Sequence, residues 1–224
     1  MAEITQLSSR AWYSASITQF LQGQPNTIVG ELTRNSTFSL LSTKTDAWFA
    51  QISFLQEQLV GLSGSLFLEF NIPRMGRRID AVLLIGPAVF VIEFKVGESA
   101  FDRAAIEQVW DYALDLKNFH QASHSVSIIP ILIATDATTS GSPTLRIDQD
   151  MVYHPIPVHP DGFRETLELA LQTVTGAKLD EERWSQAPYY PTPTIVEAAR
   201  ALYAQHSVEA IARYDAGSQN LHVT

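Results

Sequence analysis

Three charged residues interrupt two segments of the chain that are otherwise almost continuously apolar. The segment RRIDAVLLI (77–85) contains Asp80, and the segment AVFVIEFKV (88–96), which follows a Gly-Pro pair, contains Glu93 and Lys95. Apolar runs of this length, bounded by turn residues, are typical of strands that are buried on both faces of a sheet. Because burying an unpaired charge costs several kcal/mol, these three charges need partners or a chemical function.

The neighbouring segments predict an α/β fold with a mixed central sheet. In chain order we expect a helix from Asp46 to Gly61, strands at 65–71, 77–85 and 88–96, a helix at 102–120 and a strand at 128–135. Further helices are expected at 10–21, 161–172 and 177–186. The predicted domain spans 46–175, between an N-terminal helical extension (1–45) and a helical, proline-broken C-terminal appendage or linker (176–224).

Composition limits the chemistry and the compartment of this 224-residue chain. The absence of cysteine excludes disulfides, zinc–thiolate sites and thiol nucleophiles, and it favours a reducing, cytoplasmic location. No run of about 20 apolar residues predicts a membrane span. The formal net charge of −9 argues against binding of nucleic acid through a generally basic surface, so a function must come from a local site.

Strand geometry predicts that the three charges lie together. Alternation places Glu93 and Lys95 on one face of their strand, and a tight turn places Asp80 opposite residues 93–94. Two facing carboxylates repel each other unless a cation lies between them, and a hard divalent ion such as Mg²⁺ or Mn²⁺ suits such ligands. Lys95 is then placed to orient or deprotonate an attacking water, or to neutralise charge on a phosphate. The alternative is a buried ion network of purely structural role formed by the same residues.

The helix predicted after these strands carries two polar side chains on one face. Gln108 and Tyr112 are four residues apart, and their helix follows the strand of Lys95 directly. An amide and a phenol on the stripe that packs over the sheet favour a functional site over a structural ion network.

The charged residues and the helix pair form an ordered motif along the chain. Asp80 lies in RRID, Glu93-Phe94-Lys95 reads E-x-K, and Gln108 to Tyr112 reads Q-x-x-x-Y. This order resembles the D…ExK…QxxxY pattern of the PD-(D/E)xK phosphodiesterase superfamily, in the form found in RecB-type nucleases. The resemblance covers about 46–135 and implies a restriction-endonuclease-like αβββαβ core. One departure is that GRRID stands where the superfamily has a Pro-Asp motif.

The resemblance implies a role for each residue of the motif. The implied metal ligands are Asp80, Glu93 and the backbone carbonyl of Phe94. Lys95 is implied to position the attacking water. The remaining pair, Gln108 and Tyr112, is implied to hold the DNA backbone or to support the catalytic site.

The superfamily usually has an additional acid on its first helix, and two residues are candidates for it here. Glu57 lies on the predicted first helix, whereas Glu69 lies on the first strand, closer in sequence to the other site residues. Both also have simpler explanations, because Glu57 suits a solvated helix end and Glu69 suits an ion pair with a neighbouring arginine.

The densest basic cluster of the chain lies immediately before Asp80 and consists of Arg74, Arg77 and Arg78. Arginine binds phosphate through two parallel hydrogen bonds, so these residues are candidates for contacts with nucleic acid. A solvated loop explains them equally well.

Together these patterns predict a Mg²⁺- or Mn²⁺-dependent DNA phosphodiesterase. The first alternative is a nuclease-like domain without activity that binds nucleic acid or regulates an ATPase, and the second is a purely structural interaction module. The stretches IPRMGRRIDAVLL, VIEFKVG and QVWDYALDLKNFH are similar to the N-terminal region of bacterial proteins in which a nuclease-like domain precedes a P-loop, helicase-like ATPase domain. The expected partners are therefore DNA, such an ATPase domain in the same or another chain, and a second copy of this chain.

Overall fold

A six-stranded mixed sheet forms the centre of the protein in the computed structural model, which describes residues 10–36, 42–73, 75–138, 143–148 and 150–190. The strands are β1 (Tyr13–Ser16), β2 (Ser65–Ile72), β3 (Arg77–Ile85), β4 (Ala88–Lys95), β5 (Ser127–Ala134) and β6 (Ile156–Val158). The helices are α1 (Ile17–Gln22), α2 (Pro25–Asn35), α3 (Ser42–Gln58), α4 (Arg103–Phe119), α5 (Phe163–Thr173) and α6 (Glu181–Gln186). The predicted α/β class with a mixed sheet is confirmed.

The strands lie in the sheet in their chain order. Neighbours from β1 to β4 pair antiparallel, whereas β4, β5 and β6 pair parallel. The chain therefore turns back tightly between β3 and β4 but needs α4 as a crossover between β4 and β5. Among the described residues, no helix is long and apolar enough to cross a membrane.

The central elements lie where the sequence predicts them, to within one residue. Strands β2 to β5 are almost wholly buried, which explains why their sequences are continuous apolar runs. Gly86 adopts φ +58° in the two-residue turn between β3 and β4, a conformation that costs glycine nothing. Asp102 caps α4 by accepting a hydrogen bond from the backbone N–H of Ala105 at 2.6 Å.

The N-terminal stretch is not the single helix predicted for 10–21. Tyr13–Ser16 instead forms the edge strand β1, and α1 begins only at Ile17. Ser16 ends the strand as an N-cap, because its side chain accepts from the backbone N–H of Gln19 and the Gln19 side chain accepts from the backbone N–H of Ser16. The mixed spacing of apolar residues in this stretch thus reflects a strand followed by a helix, each with its own period.

The start of α3 also differs from the prediction. The helix begins at Ser42, so Asp46 lies inside it and is exposed rather than serving as its N-cap. The far end agrees better, since α3 stops at Gln58 and Gly61 takes a left-handed conformation with φ +79°. A residue type that favours caps, such as Asp46, is therefore a weak indication of where a helix starts when the residues before it can also be helical.

The C-terminal part adds one strand that the sequence does not predict. Strand β6 has only three residues, one of them Pro157, which is too short and too irregular for a periodic signal. Of the stretch 177–186, only Glu181–Gln186 is helical. The helix expected after the proline-rich break lies outside the described residues. The domain boundaries at 45 and 175 stay predictions, although β1 pairs with β2 and the backbone N–H of Leu179 donates to the carbonyl of Gly86.

Two apolar cores lie on opposite faces of the sheet. On the face that we call the α3 face, helices α1, α2, α3 and α5 pack on side chains such as Leu68, Phe90 and Ile92. On the other, the α4 face, α4 and Trp184 of α6 pack on residues such as Val82, Val89 and Val91. On α4, Phe119 is buried and Trp110 packs against the α4-face core.

A histidine is buried among aromatic rings at the end of α4. The side chain of His120 has no exposed surface, and its Nδ1 lies 2.7 Å from Ser123 Oγ. Ser123 Oγ also accepts a hydrogen bond from Trp184 Nε1 at 3.0 Å. Burial, and then the charge of Arg10, lower the pKa of His120 to about 3. The ring is therefore neutral in the folded protein at any pH near neutrality.

We expect this histidine to make the protein less stable in mild acid. Because the unfolded chain binds a proton at His120 below about pH 6.5 and the folded chain does not, stability falls from pH 7 to pH 5 by about 2 kcal/mol from this residue alone. Urea unfolding at pH 7 and at pH 5 measures the difference in unfolding free energy. In His120→Gln this difference should be smaller by the contribution of His120. An unchanged pH dependence in His120→Gln contradicts the assignment.

Candidate active site

The two carboxylates of the predicted site lie in register where β3 and β4 separate. Antiparallel pairing runs from Ile85↔Ala88 to Ala81↔Ile92, and Asp80 and Glu93 are the next residues in that register. The backbone N–H of Phe94 donates to Asp80 Oδ2 at 2.8 Å, in place of a ladder bond to a carbonyl of β3. The tight turn thus places Asp80 beside Glu93, at the point where the pairing of the two strands ends, which we call the opening.

Burial and mutual repulsion raise the proton affinity of this carboxylate pair. Burial raises the pKa of Asp80 well above its ordinary value, and the charge of Glu93 raises it further, although the hydrogen bond from Phe94 lowers it. Burial likewise raises the pKa of Glu93, against the opposing effect of Lys95. A site that favours protons between two carboxylates equally favours a divalent cation there, because both relieve the repulsion.

One oxygen of Glu93 is fixed by the neighbouring residues, and the other has no N–H donor among the described residues. Lys95 Nζ and Gln108 Nε2 donate to Glu93 Oε1 at 3.0 and 2.8 Å. Glu93 Oε2 is buried and accepts no hydrogen bond from an N–H group of the described residues, although a hydrogen bond with the Asp80 carboxyl lowers the pKa of Glu93. A buried acceptor without a donor is costly, so its lone pairs are available for a bound ion.

Helix α4 supplies the polar residues that hold this arrangement. Gln108 Oε1 accepts from Lys95 Nζ at 3.1 Å, and Gln108 Nε2 also donates to the hydroxyl of Tyr112 at 2.7 Å. Tyr112 is 1% exposed, and burial followed by the charge of Glu93 raises its pKa. The predicted set of Glu93, Lys95, Gln108 and Tyr112 is therefore one connected hydrogen-bond network.

Glu69 lies opposite Asp80 in register on β2 but points away from the pair. It takes a left-handed conformation with φ +53°, which a non-glycine residue adopts only at a cost. Leu68 packs in the α3-face core whereas Phe70 packs in the α4-face core. The alternation of side chains between the two faces of the sheet therefore shifts at Glu69. Strand β3 shifts in the same way, with Ala81 on the α3 face and Ile79 on the α4 face.

The shift sends the Glu69 side chain to α3. Its Oε1 accepts from Trp48 Nε1 at 2.8 Å and lies 3.5 Å from Lys44 Nζ. The charge of Glu69 nevertheless raises the pKa of both Asp80 and Glu93. The other candidate acid, Glu57, is exposed near the end of α3, and no hydrogen bond or ion pair in the described part of the chain joins it to the pair. The structure thus brings Glu69, and not Glu57, near the two carboxylates.

The arginines before Asp80 have separate surroundings. Arg77 is exposed, and its charge lowers the pKa of Tyr112, which places it beside the network on the α4 face. Arg78 stacks on the ring of Trp12, with its Cζ 4.2 Å from the ring centroid. Arg74 lies outside the described residues.

Sequence reasoning missed the residues around Glu69. Trp12 lies in the predicted N-terminal helical extension, and neither it nor Lys44 nor Trp48 is among the predicted site residues. The one available signal was the four-residue spacing of Lys44 and Trp48, which places both on the same side of a helix.

The residues present fit a small divalent cation with few protein ligands. Within the described residues, no group of three or more His, Cys, Asp and Glu side chains is arranged to hold a metal ion. Mg²⁺, however, commonly takes only one or two carboxylates and completes its shell with water and phosphate oxygens. The carbonyl of Phe94 faces β3, as its N–H does, so it lies on the side of β4 that is turned towards Asp80.

Comparison of the chain with protein-family models, with curated proteins and with solved structures finds no match. A fold class alone does not determine an activity. The function is therefore argued from the chemistry of the site.

Proposed function

We propose that the protein is a metal-dependent phosphodiesterase that cleaves DNA, with Mg²⁺ or Mn²⁺ held by Asp80 and Glu93. The observation that carries the proposal is the buried Oε2 of Glu93, which accepts no N–H hydrogen bond among the described residues and belongs to a carboxylate beside that of Asp80. Two facing carboxylates within a sheet cost free energy unless protons or a ligand relieve their repulsion, so the pair is a candidate binding site. Lys95 beside the pair supplies the cation that phosphodiester chemistry needs.

The arrangement of elements supports membership of the PD-(D/E)xK superfamily. The order α3, β2, β3, β4, α4 and β5 is the αβββαβ order that the resemblance implies for a restriction-endonuclease-like core. Within that order Asp80 lies on the second strand, the E-x-K motif on the third, and Gln108 and Tyr112 on the following helix. By the same resemblance, the proposed partner is a P-loop, helicase-like ATPase domain in the same or another chain.

Each residue of the network has a defined task in this proposal. Asp80, Glu93 and the carbonyl of Phe94 would hold the cation, which would lower the pKa of a water ligand and neutralise charge on the phosphate. Lys95 Nζ donates to the attacking water or to a phosphate oxygen, and Gln108 keeps both Lys95 and Glu93 in place.

Tyr112 and Arg77 complete the site in different ways. The hydroxyl of Tyr112 fixes the amide of Gln108, and through it the orientation of the network. Arg77 is exposed on the α4 face close to Tyr112, where a phosphate of the DNA backbone can reach it.

A cleavage assay tests the proposal directly. Purified protein is incubated with labelled single- and double-stranded DNA in Mg²⁺ or Mn²⁺, and parallel reactions contain EDTA. We expect cleavage of at least one substrate that EDTA abolishes. Absence of cleavage with both metals contradicts the enzymatic proposal.

One observation favours the alternative of a nuclease-like domain without activity. Of the acidic residues that the structure describes, two are placed at the opening, because Glu69 is turned towards Trp48 and Glu57 is exposed on α3. Such a domain would bind nucleic acid or regulate an ATPase without cutting. Calorimetric titration with Mn²⁺ separates the two functions. The enzyme must show a heat of Mn²⁺ binding that Glu93→Gln removes, whereas the inactive domain need not bind Mn²⁺.

A further inference from the structure

Two cations share one buried indole on the α3 face. Arg78 Cζ lies 4.2 Å and Lys44 Nζ 4.9 Å from the ring centroid of Trp12, and Lys44 Nζ is also 5.1 Å from that of Trp48. The two indoles meet edge to face at 6.0 Å. Trp12 is only 8% exposed, so it acts as a fixed support for the cations rather than as a surface on which a base stacks.

Only one of these cations is neutralised. Lys44 lies 3.5 Å from the carboxylate of Glu69. Arg78 forms no ion pair with any described carboxylate, and its Nε is buried without a hydrogen-bond partner. Among the described residues, the guanidinium stacks on Trp12, and no carboxylate of this part of the chain pairs with it. A planar, pre-oriented guanidinium matches the oxygens of a phosphate.

The position of Arg78 relates it to the carboxylate pair. It precedes Asp80 by two residues on β3, which corresponds to roughly 7 Å along the strand. Arg77 lies towards Tyr112 on the α4 face, while Arg78 lies against Trp12 on the α3 face. Consecutive residues thus place one cation on each side of the sheet, next to the opening between β3 and β4.

We propose that Arg78, supported by Trp12, binds a phosphate of the nucleic-acid strand. This phosphate is the neighbour, along the same strand, of the phosphate that reaches Asp80 and Glu93. The inference rests on the proposed function and deepens it, because it makes the ligand a polynucleotide that contacts both faces of β3. Lys44, partly neutralised by Glu69, adds positive potential without a direct contact. The strand passes from the Trp12 side of the sheet to the opening at Asp80.

Binding without cleavage tests this contact. Fluorescence anisotropy with a labelled oligonucleotide is measured in Ca²⁺ in place of Mg²⁺, over a range of salt concentrations, for wild type and Arg78→Met. The methionine keeps an apolar stem on Trp12 but removes the charge. We expect the Kd to rise about five- to eightfold at 0.1 M salt and the salt slope to fall by about 0.7 to 0.9, as for loss of one phosphate contact.

Two further variants sharpen the result. Arg78→Lys keeps the charge and should keep the salt slope, which separates a phosphate contact from a general loss of structure. Arg103→Met removes an exposed arginine that pairs with Glu107 on α4 and should bind like wild type. Equal affinity and slope in wild type and Arg78→Met overturn the inference, and so does an equal loss in Arg103→Met.

The outcomes also separate this inference from the proposed function. If wild type cleaves DNA but Arg78→Met binds as tightly, the phosphate contact is wrong and the enzyme proposal stands. If wild type binds with the expected dependence on Arg78 but does not cleave, the enzyme proposal is wrong and the contact stands. If wild type binds no oligonucleotide, both are overturned.

Discussion

Replacing Glu93 by glutamine is expected to reduce the rate of DNA cleavage by about a thousandfold or more. The amide retains an oxygen that accepts from Lys95 and Gln108, so the network on that side persists. The substitution removes the negative charge, and it places either an amide nitrogen or a weaker ligand where Oε2 faces the opening. Without a bound cation, neither the water nor the phosphate is activated, and losses of such charge stabilisation are of this size. Single-turnover cleavage in Mg²⁺ and in Mn²⁺ measures the effect.

Two comparisons make the result specific. Glu57→Gln alters an exposed carboxylate on α3 and should cleave at the wild-type rate. Lys95→Met should lose cleavage to a similar degree while still binding Mn²⁺, because it removes the water-positioning cation and leaves both carboxylates. If Glu93→Gln cleaves as fast as wild type, or if Glu57→Gln is equally impaired, Asp80 and Glu93 do not form the active site.

Replacing Asp80 by asparagine is expected to stabilise the metal-free protein and to abolish its stabilisation by Mn²⁺. Burial and the charge of Glu93 raise the pKa of Asp80, so its ionised form costs free energy that a neutral amide does not. The amide oxygen still accepts from the backbone N–H of Phe94. We expect a gain of the order of 1 kcal/mol in unfolding free energy at neutral pH in EDTA. In Mn²⁺ at about 100 times its Kd, wild type gains about 2.7 kcal/mol and Asp80→Asn gains nothing.

Asp80→Asn is therefore expected to be more stable than wild type in a denaturant titration in EDTA, and wild type to be more stable than Asp80→Asn in Mn²⁺. Asp111→Asn, at an exposed position on α4, is the control and should follow wild type in both conditions. A structural ion network predicts instead that Mn²⁺ has no effect on either protein. A wild type that gains no stability from Mn²⁺ thus contradicts the metal site, whatever the metal-free values show.

The central sheet and α4 could be predicted because their signals are local. Residues 88–94 of β4 are all buried, so their run of apolar side chains reports the two covered faces directly. The turn at Gly86 has a definite length, and this length alone places Asp80 opposite Glu93. The i, i+4 spacing on α4 likewise places Gln108 and Tyr112 on one side, where the structure connects them.

Other elements could not be predicted because long-range pairing decides them. Strand β1 exists only because it pairs with β2, some 50 residues later in the chain, while its own sequence suits a helix. Strand β6 is likewise formed by pairing with β5. Propensity is a weak signal where a tertiary partner supplies the hydrogen bonds.

The sequence by itself determined that three charges would lie within a buried sheet and that two of them would be carboxylates in one register. Periodicity and the cost of burying charge are enough for that conclusion. The tertiary structure decided how these groups are used: the ladder opens at Asp80, Glu69 turns to Trp48, and Arg78 stacks on Trp12. These features depend on backbone distortion and on contacts between residues far apart in the chain, and no local pattern carries that information.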